Sequence, residues 1–228
     1  VEGLLQQELY DVVASLAETA YVEASNASYN WQTGEITAEV VGQVVDVQGT
    51  VDALLAAGAQ SAVELVTVQV LPSITAAYFA PIYRGPTSEA RVALMVNVDW
   101  GDEFIPGMLD VFAHHGVSAT WFPTGRWVTV AADLAKIIAQ AGHEIGNHGG
   151  WHGAASKMSR SETARLIQEG EDLVFEATGQ RPQVFAPPSG DFSQQTVQVA
   201  AELGYKTVLW TVDTVDWERP APTVIIDS

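Results

Sequence analysis

The sequence predicts an α/β domain with a mostly parallel sheet, open or closed into a barrel, preceded by a small α+β domain. Two observations lead to this fold class. From Arg91 onward, short apolar runs alternate with helical patterns, as they do in βαβ units. The composition changes near residue 75, where a segment rich in Pro and Gly follows. We therefore predict a small domain over residues 1–75, a linker over residues 76–90 and the α/β domain over residues 91–228.

The composition limits the class of protein. Hydrophobic residues make up 47% of the 228 residues, and no apolar run approaches the roughly 20 residues of a membrane-spanning helix. The 28 Asp and Glu residues against 10 Lys and Arg give a formal net charge of −18. Such a surface repels phosphate backbones, which argues against nucleic acid as a partner. Val1 opens the chain without a basic or apolar leader, so we expect any signal peptide to be removed or never present.

The first 75 residues predict a helix, a hairpin, a second helix and a strand. Asp46 or Thr50 is expected to cap the second helix, and Gly58 to end it. In chain order, the first helix covers residues 4–18, the extended runs cover 21–29 and 35–41, the second helix covers 51–57, and the strand covers 62–71.

The α/β region predicts five strands and four helices. A continuous apolar run over residues 92–98 suggests a strand buried on both faces. Ser159 and Glu162 form a capping-box pattern before the longest helix, and Gly179 is placed to end it. The strands are expected over 92–98, 117–122, 143–147, 184–186 and 207–212, and the helices over 105–115, 133–141, 159–178 and 194–203.

The clearest chemical signal is a pair of histidines, His148 and His152, in a Gly-rich loop after a predicted strand. Two histidines four residues apart can bind one metal ion. Because the chain has no cysteine, further ligands must be carboxylates or other histidines. Asp99 ends the first strand of the same sheet, so we predict Asp99 as the third ligand. Such a set with one open position is typical of a catalytic Lewis acid.

Residues 91–217 resemble the polysaccharide deacetylase, or NodB-homology, family of carbohydrate esterases. Five blocks follow the family's order: Val92–Gly101, the Ala119–Phe122 and Thr124–Arg126 stretch, Gly142–His152, Ala186–Gly190 and Asp213–Trp217. The resemblance implies a distorted (β/α) barrel of the deacetylase type. Residues 4–75 resemble, more generically, a peptidoglycan-binding domain found ahead of VanW-like and transpeptidase domains.

The family's chemistry, as the resemblance implies, is removal of an acetyl group from a sugar of a polysaccharide such as peptidoglycan or an N-acetylglucosamine polymer. A divalent metal, usually zinc, polarises the acetyl carbonyl, a carboxylate takes a proton from water, and a histidine protonates the leaving group. The implied location is extracytoplasmic, secreted or cell-wall associated. Carried over by motif, the metal ligands are Asp99, His148 and His152, the catalytic residues are Asp99, Asp213 and Asp216, and the substrate contacts are Trp151, Pro187, Pro188, Ser189, Gly190 and Trp217.

The first motif departs from the family's pair of aspartates, and three registers are possible. Counted from the strand, the base and ligand positions hold Asn97 and Val98; counted from Gly101, they hold Asp99 and Trp100. A third register gives Asn97 and Asp99, and we prefer it because it keeps a carboxylate for the metal. An amide then occupies the base position, and an amide cannot accept the proton.

Two further departures concern the groups around the base. Ala186 stands where the family has the arginine that orients it, and no Leu-x-His motif supplies the general acid. We expect the deacetylase domain to continue beyond Ser228. Asp102, Glu103 or Asp191 could replace the base, although solvated loop carboxylates are the simpler interpretation.

These observations leave three hypotheses open. The first is a metal-dependent deacetylase of cell-wall polysaccharide. The second is a carbohydrate-binding module that keeps the fold without turnover. The third is a related amidohydrolase that cleaves another non-peptide C–N bond.

Overall fold

The computed structural model describes residues 2–57, 62–86 and 88–226. The chain divides into two compact units, residues 1–76 and 77–228. Within the described ranges, none of the helices combines the length and apolar character that crossing a membrane requires.

Among its described residues, the first unit contains two α-helices and two small antiparallel sheets. Its elements are α1 (Glu2–Ala20), β1 (Ser28–Tyr29), β2 (Ile36–Thr37), β3 (Gly42–Val45), α2 (Val47–Ala57) and β4 (Thr67–Val70), with β1 paired to β2 and β3 paired to β4. Asp46 caps α2, because its Oδ1 accepts the Gly49 N–H at 2.9 Å. Thr50 lies inside the helix, buried, and its hydroxyl accepts the Val66 N–H at 3.0 Å. Gly58 lies outside the described residues.

The second unit alternates strands and helices, as the sequence predicts. Its elements are β5 (Met95–Val98), α3 (Ile105–His115), β6 (Thr120–Pro123), α4 (Gly125–Val130), α5 (Ala132–Gln140), β7 (Glu144–Ile145), α6 (Arg160–Thr178), β8 (Val184–Phe185), α7 (Gln194–Glu202), β9 (Lys206–Thr207) and α8 (Pro222–Ile226).

The parallel strands lie side by side in chain order. β5 pairs with β6 and β6 with β7, while a bridge from Asn147 to Phe185 continues the arrangement to β8, which pairs with β9. A doubly wound sheet reverses strand order at its centre, whereas a (β/α) barrel adds each strand to the previous one. The observed order is that of the barrel, so the predicted fold class is confirmed.

Ile82, within the segment predicted as a linker, also pairs with this sheet. Its N–H donates to the Thr207 carbonyl at 2.9 Å, and its carbonyl accepts the Leu209 N–H at 2.8 Å. The resulting bridge to Val208 is parallel. This part of the segment therefore extends the barrel beyond β9.

The predicted helix ends of the second unit agree closely with the observed ones, whereas α2 begins at Val47 rather than at residue 51 and the strand lengths differ. Ser159 and Glu162 form the predicted capping box of α6, and Gly179 ends it in the left-handed conformation at φ 72°. The first strand is shorter than predicted: it begins at Met95, and Val92 is 89% exposed. The prediction of a strand buried on both faces over residues 92–98 was therefore wrong: residues 92–94 are exposed, and within β5 Asn97 is exposed while Val98 is buried.

The core of the second unit lies between the sheet and its helices. Val98, Trp121 and Ile145 supply the sheet side of this core, and they pack with buried residues of α4, α5 and α6. Alternation along each strand sends the intervening residues to the opposite face of the sheet. That opposite face carries Asn97 and, beyond the strand end, Asp99.

His143 is a titratable group inside this core. It is buried against the rings of Phe112 and Trp121, with ring centroids 5.5 and 6.0 Å away, and its Nδ1 accepts the Ala119 N–H at 3.2 Å. Burial lowers the pKa of His143 below its usual value, because the apolar surroundings disfavour the imidazolium.

Acidification should therefore destabilise this core through His143. With the folded pKa below the unfolded value, the contribution is present above about pH 6.5 and is lost as pH falls from there, since the unfolded chain takes up the proton first. We expect His143→Gln, which keeps an acceptor, to reduce the fall in Tm between pH 7.5 and 5.5. His115→Gln, at an exposed position, serves as control, and equal slopes for wild type and His143→Gln would contradict the prediction.

Candidate active site

His148 is a buried, neutral imidazole with one nitrogen free. It follows β7, is 2% exposed, and its Nδ1 lies 2.7 Å from the Ala186 carbonyl oxygen. A carbonyl can only accept, so Nδ1 carries the proton and Nε2 keeps its lone pair. Burial lowers the pKa of His148 to about 4, which keeps the ring neutral near pH 7. A backbone carbonyl that fixes the tautomer in this way is the usual support of a metal-binding histidine.

His152 lies next to His148 on the outer side of the loop. The two ring centroids are 5.4 Å apart with the planes at 68°, and His152 is exposed. The loop between them turns sharply at Gly149, whose φ is 85°. A Cβ at Gly149 would lie 2.7 Å from a methyl of Leu166 on α6, so only glycine allows the loop to lie this close to the helix.

Asn147 anchors the start of the histidine loop. It is completely buried, its Oδ1 accepts the Gly149 N–H at 2.7 Å, and its Nδ2 donates to the Ile167 carbonyl at 2.8 Å. α6 approaches closely enough that a Cβ at Gly170 would lie 2.3 Å from Asn147 Oδ1. One amide therefore joins the loop to the helix behind it.

Asp99 lies beyond the end of β5, and its carboxylate is held by two neighbours. Oδ1 accepts the Thr124 hydroxyl at 2.9 Å and Arg126 Nε at 2.6 Å, while Arg126 Nη2 donates to Oδ2. Partial burial raises the pKa of Asp99, but the hydrogen bonds from Arg126 and Thr124 outweigh it and hold the pKa below its usual value. Both histidines interact electrostatically with this carboxylate.

The candidate residues of the first motif, Val92–Gly101, lie in different surroundings. Asn97 lies within β5, level with Phe122, and is exposed. Asp99 is two residues further on, about 6.6 Å along the strand direction. Val98 is in the helix-facing core, and Trp100 is 62% exposed. Asp99 is the first-motif carboxylate that interacts electrostatically with the histidine pair.

The three predicted ligands do not converge. Among the described ranges 2–57, 62–86 and 88–226, no three His, Asp or Glu side chains form a group that could hold a metal ion. The two oxygens of Asp99 instead accept hydrogen bonds from Thr124, which follows β6, and from Arg126 of α4.

The predicted substrate contacts differ in exposure. Trp151 is half-buried beneath the Arg165 guanidinium, 5.0 Å from its ring centroid. Pro187 and Pro188 are buried, whereas Ser189 is exposed at a left-handed φ of 56°. Ser189 is therefore the member of this loop most open to a ligand.

Trp210 joins the Ala186–Gly190 block to the Asp213–Trp217 block. The ring of Trp210 lies 3.0 Å from where a Cβ on Gly190 would stand, and its Nε1 donates to Asp213 Oδ2 at 3.1 Å. Asp216 accepts the Thr214 hydroxyl at 3.3 Å. Trp217 is 61% exposed, so its ring is open to a planar ligand face.

Two of the three alternative carboxylates have structural partners. Asp191 Oδ2 accepts the Ser156 N–H at 2.9 Å, which ties the loop after Ala186–Gly190 to the segment after His152. Glu103 Oε2 accepts the Asp102 N–H at 3.2 Å. Neither contact directs a carboxylate toward the histidine pair.

Sequence reasoning assigned no role to Arg126, which the structure places against Asp99. Its helix, α4, begins directly after β6 with Thr124 as N-cap. A cavity of about 480 Å³ opens beside this pair. It is lined by Asp99, Trp100, Gly101, Asp102, Arg126, Trp127, Val130 and Ala131.

Comparison with known proteins identifies the protein family of this chain. The family model for polysaccharide deacetylases matches residues 84–208, more than half of the chain. The chain therefore belongs to the polysaccharide deacetylase family.

Two relatives show how similar this chain is to individual members of the family. The Bacillus subtilis (strain 168) protein named "Uncharacterized protein YlxY" is 41% identical over 164 residues, which are 71% of this chain and 51% of that protein. A peptidoglycan-N-acetylglucosamine deacetylase of Bacillus cereus is 34% identical over 150 residues, 66% of this chain and 54% of its own length. The chain spans about half the length of these two relatives.

A solved structure matches nearly the whole chain. It is the wild-type form of a CE4 family pseudoenzyme from Bacillus anthracis, 33% identical, with a TM-score of 0.65. The match covers 96% of this chain and 78% of that one.

Replacing Asn147 should destabilise the second unit. Asn147→Ala removes the acceptor for Gly149 and the donor to Ile167, so we expect a loss of about 2 to 4 kcal/mol in the free energy of unfolding. Urea unfolding followed by tryptophan fluorescence reports on this unit, because Trp31 alone among the seven tryptophans precedes residue 77. Asn97→Ala, at an exposed site, is the matched control, and a comparable loss in that variant would refute the assignment.

Proposed function

We propose that the second unit is a metal-dependent deacetylase domain that acts on N-acetyl sugars of peptidoglycan or a chitin-like cell-wall polymer. The single observation that carries this proposal is the state of His148. Its Nδ1 proton is committed to the Ala186 carbonyl and its pKa is lowered to about 4. The free Nε2 is thus available as a ligand at neutral pH.

The donor types, two imidazoles and one carboxylate, are those that bind a divalent metal such as zinc. His148 and His152 are close enough to share one ion, since their centroids are 5.4 Å apart. The Asp99 carboxylate interacts electrostatically with both rings, but Thr124 and Arg126 hold it away from a common ligand group. When bound, the metal would supply a Lewis acid that polarises the acetyl carbonyl. Two histidines and one carboxylate leave a position open for substrate or water.

The chain's own residues have separate tasks in this proposal. The Ala186 carbonyl fixes the ring of His148, and the hydroxyl of Thr124 helps to orient Asp99. Exposed Trp217 offers an apolar face for a sugar ring. Asn97 cannot accept a proton, so we assign no base to that position.

The substrate class is proposed from the relatives. The Bacillus cereus relative is named for peptidoglycan N-acetylglucosamine, and a peptidoglycan substrate would place the protein outside the cytoplasm, at the cell wall. The net charge of −18 disfavours binding through bulk charge to anionic wall polymers. Recognition would then depend on local contacts such as Trp217 and Ser189.

A second candidate function is carbohydrate binding without turnover. The observation that favours it is the pairing of Asp99 with Arg126, which takes up the carboxylate that interacts electrostatically with both histidines. The similarity to a solved pseudoenzyme of the same family points in the same direction. The two functions share the fold and the sugar contacts, and they differ in whether acetate is released.

Acetate release distinguishes the two. We expect the zinc-supplemented protein to release acetate from peptidoglycan or N-acetylglucosamine oligomers, measured by an enzyme-coupled acetate assay. His148→Ala should abolish release and lower the bound zinc by about one equivalent in elemental analysis. His115→Ala, an exposed histidine, should change neither. Sugar binding without acetate release from wild type would reject the deacetylase in favour of the binding module.

Asn97→Asp tests the register of the first motif. If this position is that of the general base, a carboxylate there should raise the rate of acetate release by about 10²-fold or more. The measurement is kcat on the same oligomers at saturating zinc. An unchanged kcat, with the Tm preserved, would show that Asn97 does not occupy the base position.

A further inference from the structure

We propose that Arg126 acts as an internal cation that competes with the divalent metal for the Asp99 carboxylate. This inference rests on the proposed function, since it concerns the same metal site. It assigns to Arg126 control over how tightly that site binds a metal.

The hydrogen bonds at Asp99 leave little of the carboxylate free. An ionised carboxylate has about four lone-pair sites. Thr124 and the two nitrogens of Arg126 use three of them, two on Oδ1 and one on Oδ2. A metal ion would have to use the last site or displace the guanidinium.

The guanidinium is suited to this role because it cannot be switched off by deprotonation. Its charge persists at all physiological pH values, and its planar fork matches the two carboxylate oxygens. The carboxylate side chain is only 10% exposed, whereas that of Arg126 is 55% exposed. Asp99 thus sits in a less polar environment that strengthens the pair, while the arginine approaches from the solvent side.

The backbone of Arg126 is fixed to the histidine loop. The N–H groups of Gly125 and Arg126 donate to the carbonyls of Gly149 and Gly150, each at 2.8 Å. The start of α4 is thus tied to the segment that carries His148 and His152. Release of Asp99 therefore requires only a change of side-chain rotamer at Arg126, with the helix in place.

Two consequences follow for metal binding. While the Arg126 guanidinium is bound to both oxygens of Asp99, the histidine pair lacks a convergent carboxylate. This agrees with the absence of a three-residue ligand group among the described residues. Removal of the Arg126 guanidinium frees two lone-pair sites on Asp99. Metal affinity should then rise, although a side chain has been deleted.

The test is zinc affinity, measured by calorimetry or competition with a chromogenic chelator, and it needs no substrate. We expect Arg126→Ala to bind zinc about tenfold or more tightly than wild type, the size of effect that a charge-assisted hydrogen-bond pair can exert. Arg126→Lys keeps the charge but loses the fork, so a smaller increase is expected. Thermal unfolding of each variant shows that the fold is intact.

Matched controls separate competition for Asp99 from a general effect of charge. Arg165 lies over the ring of Trp151, the residue that precedes His152. Arg165→Ala removes this positive charge and should leave zinc affinity unchanged. In an Asp99→Asn background, Arg126→Ala should give no increase, because the contested carboxylate is gone. An increase that persists in that background would overturn the proposal in favour of a field effect.

Other outcomes also decide the question. Equal or weaker zinc binding by Arg126→Ala, or no binding by either protein, would overturn the competition. His148→Ala in the Arg126→Ala background should abolish the gain. Zinc bound by wild type through His148 and unaffected by Arg126→Ala would reject this inference while leaving the proposed function intact.

Discussion

The candidate site depends on a single buried amide. Asn147 lies two residues after the end of β7. It is hydrogen-bonded to α6, and its bridge to Phe185 connects β8 to the rest of the barrel. It also donates to the Tyr205 hydroxyl at 3.4 Å, and this hydroxyl in turn donates to Glu171 at 2.9 Å. A buried polar group is stabilising only when its partners are all in place. The direction of His148 is therefore set by the packing of several elements.

This constraint explains why the two histidines differ. His148 directly follows the anchored residue and is buried, with its tautomer fixed. His152 lies beyond two glycines and is exposed. The same loop therefore carries one buried ring of fixed orientation and one exposed ring.

Local patterns made much of the fold predictable. The capping box of α6 and its terminal glycine depend on residues three or four apart, so they are visible in the sequence. α4 was missed because six residues give too few turns for a hydrophobic period to show. The His148 and His152 pair was visible because its spacing is local. The contact of Arg126 with Asp99 was not, because it joins the ends of two different strands and depends on their register.

The bridge between Ile82 and Val208 affects how the domain assembles. Ile82 lies just before the region matched by the family model and Val208 is its last residue, so the contact closes a very long loop and forms at an entropic cost. During synthesis, Val208, which pairs with Ile82, emerges from the ribosome only after all of the intervening strands and helices. Until then the N-terminal edge of the barrel has an unpaired backbone, and such an edge is prone to pairing with other chains. Completion of this domain is therefore expected to be a late, slow step in its folding.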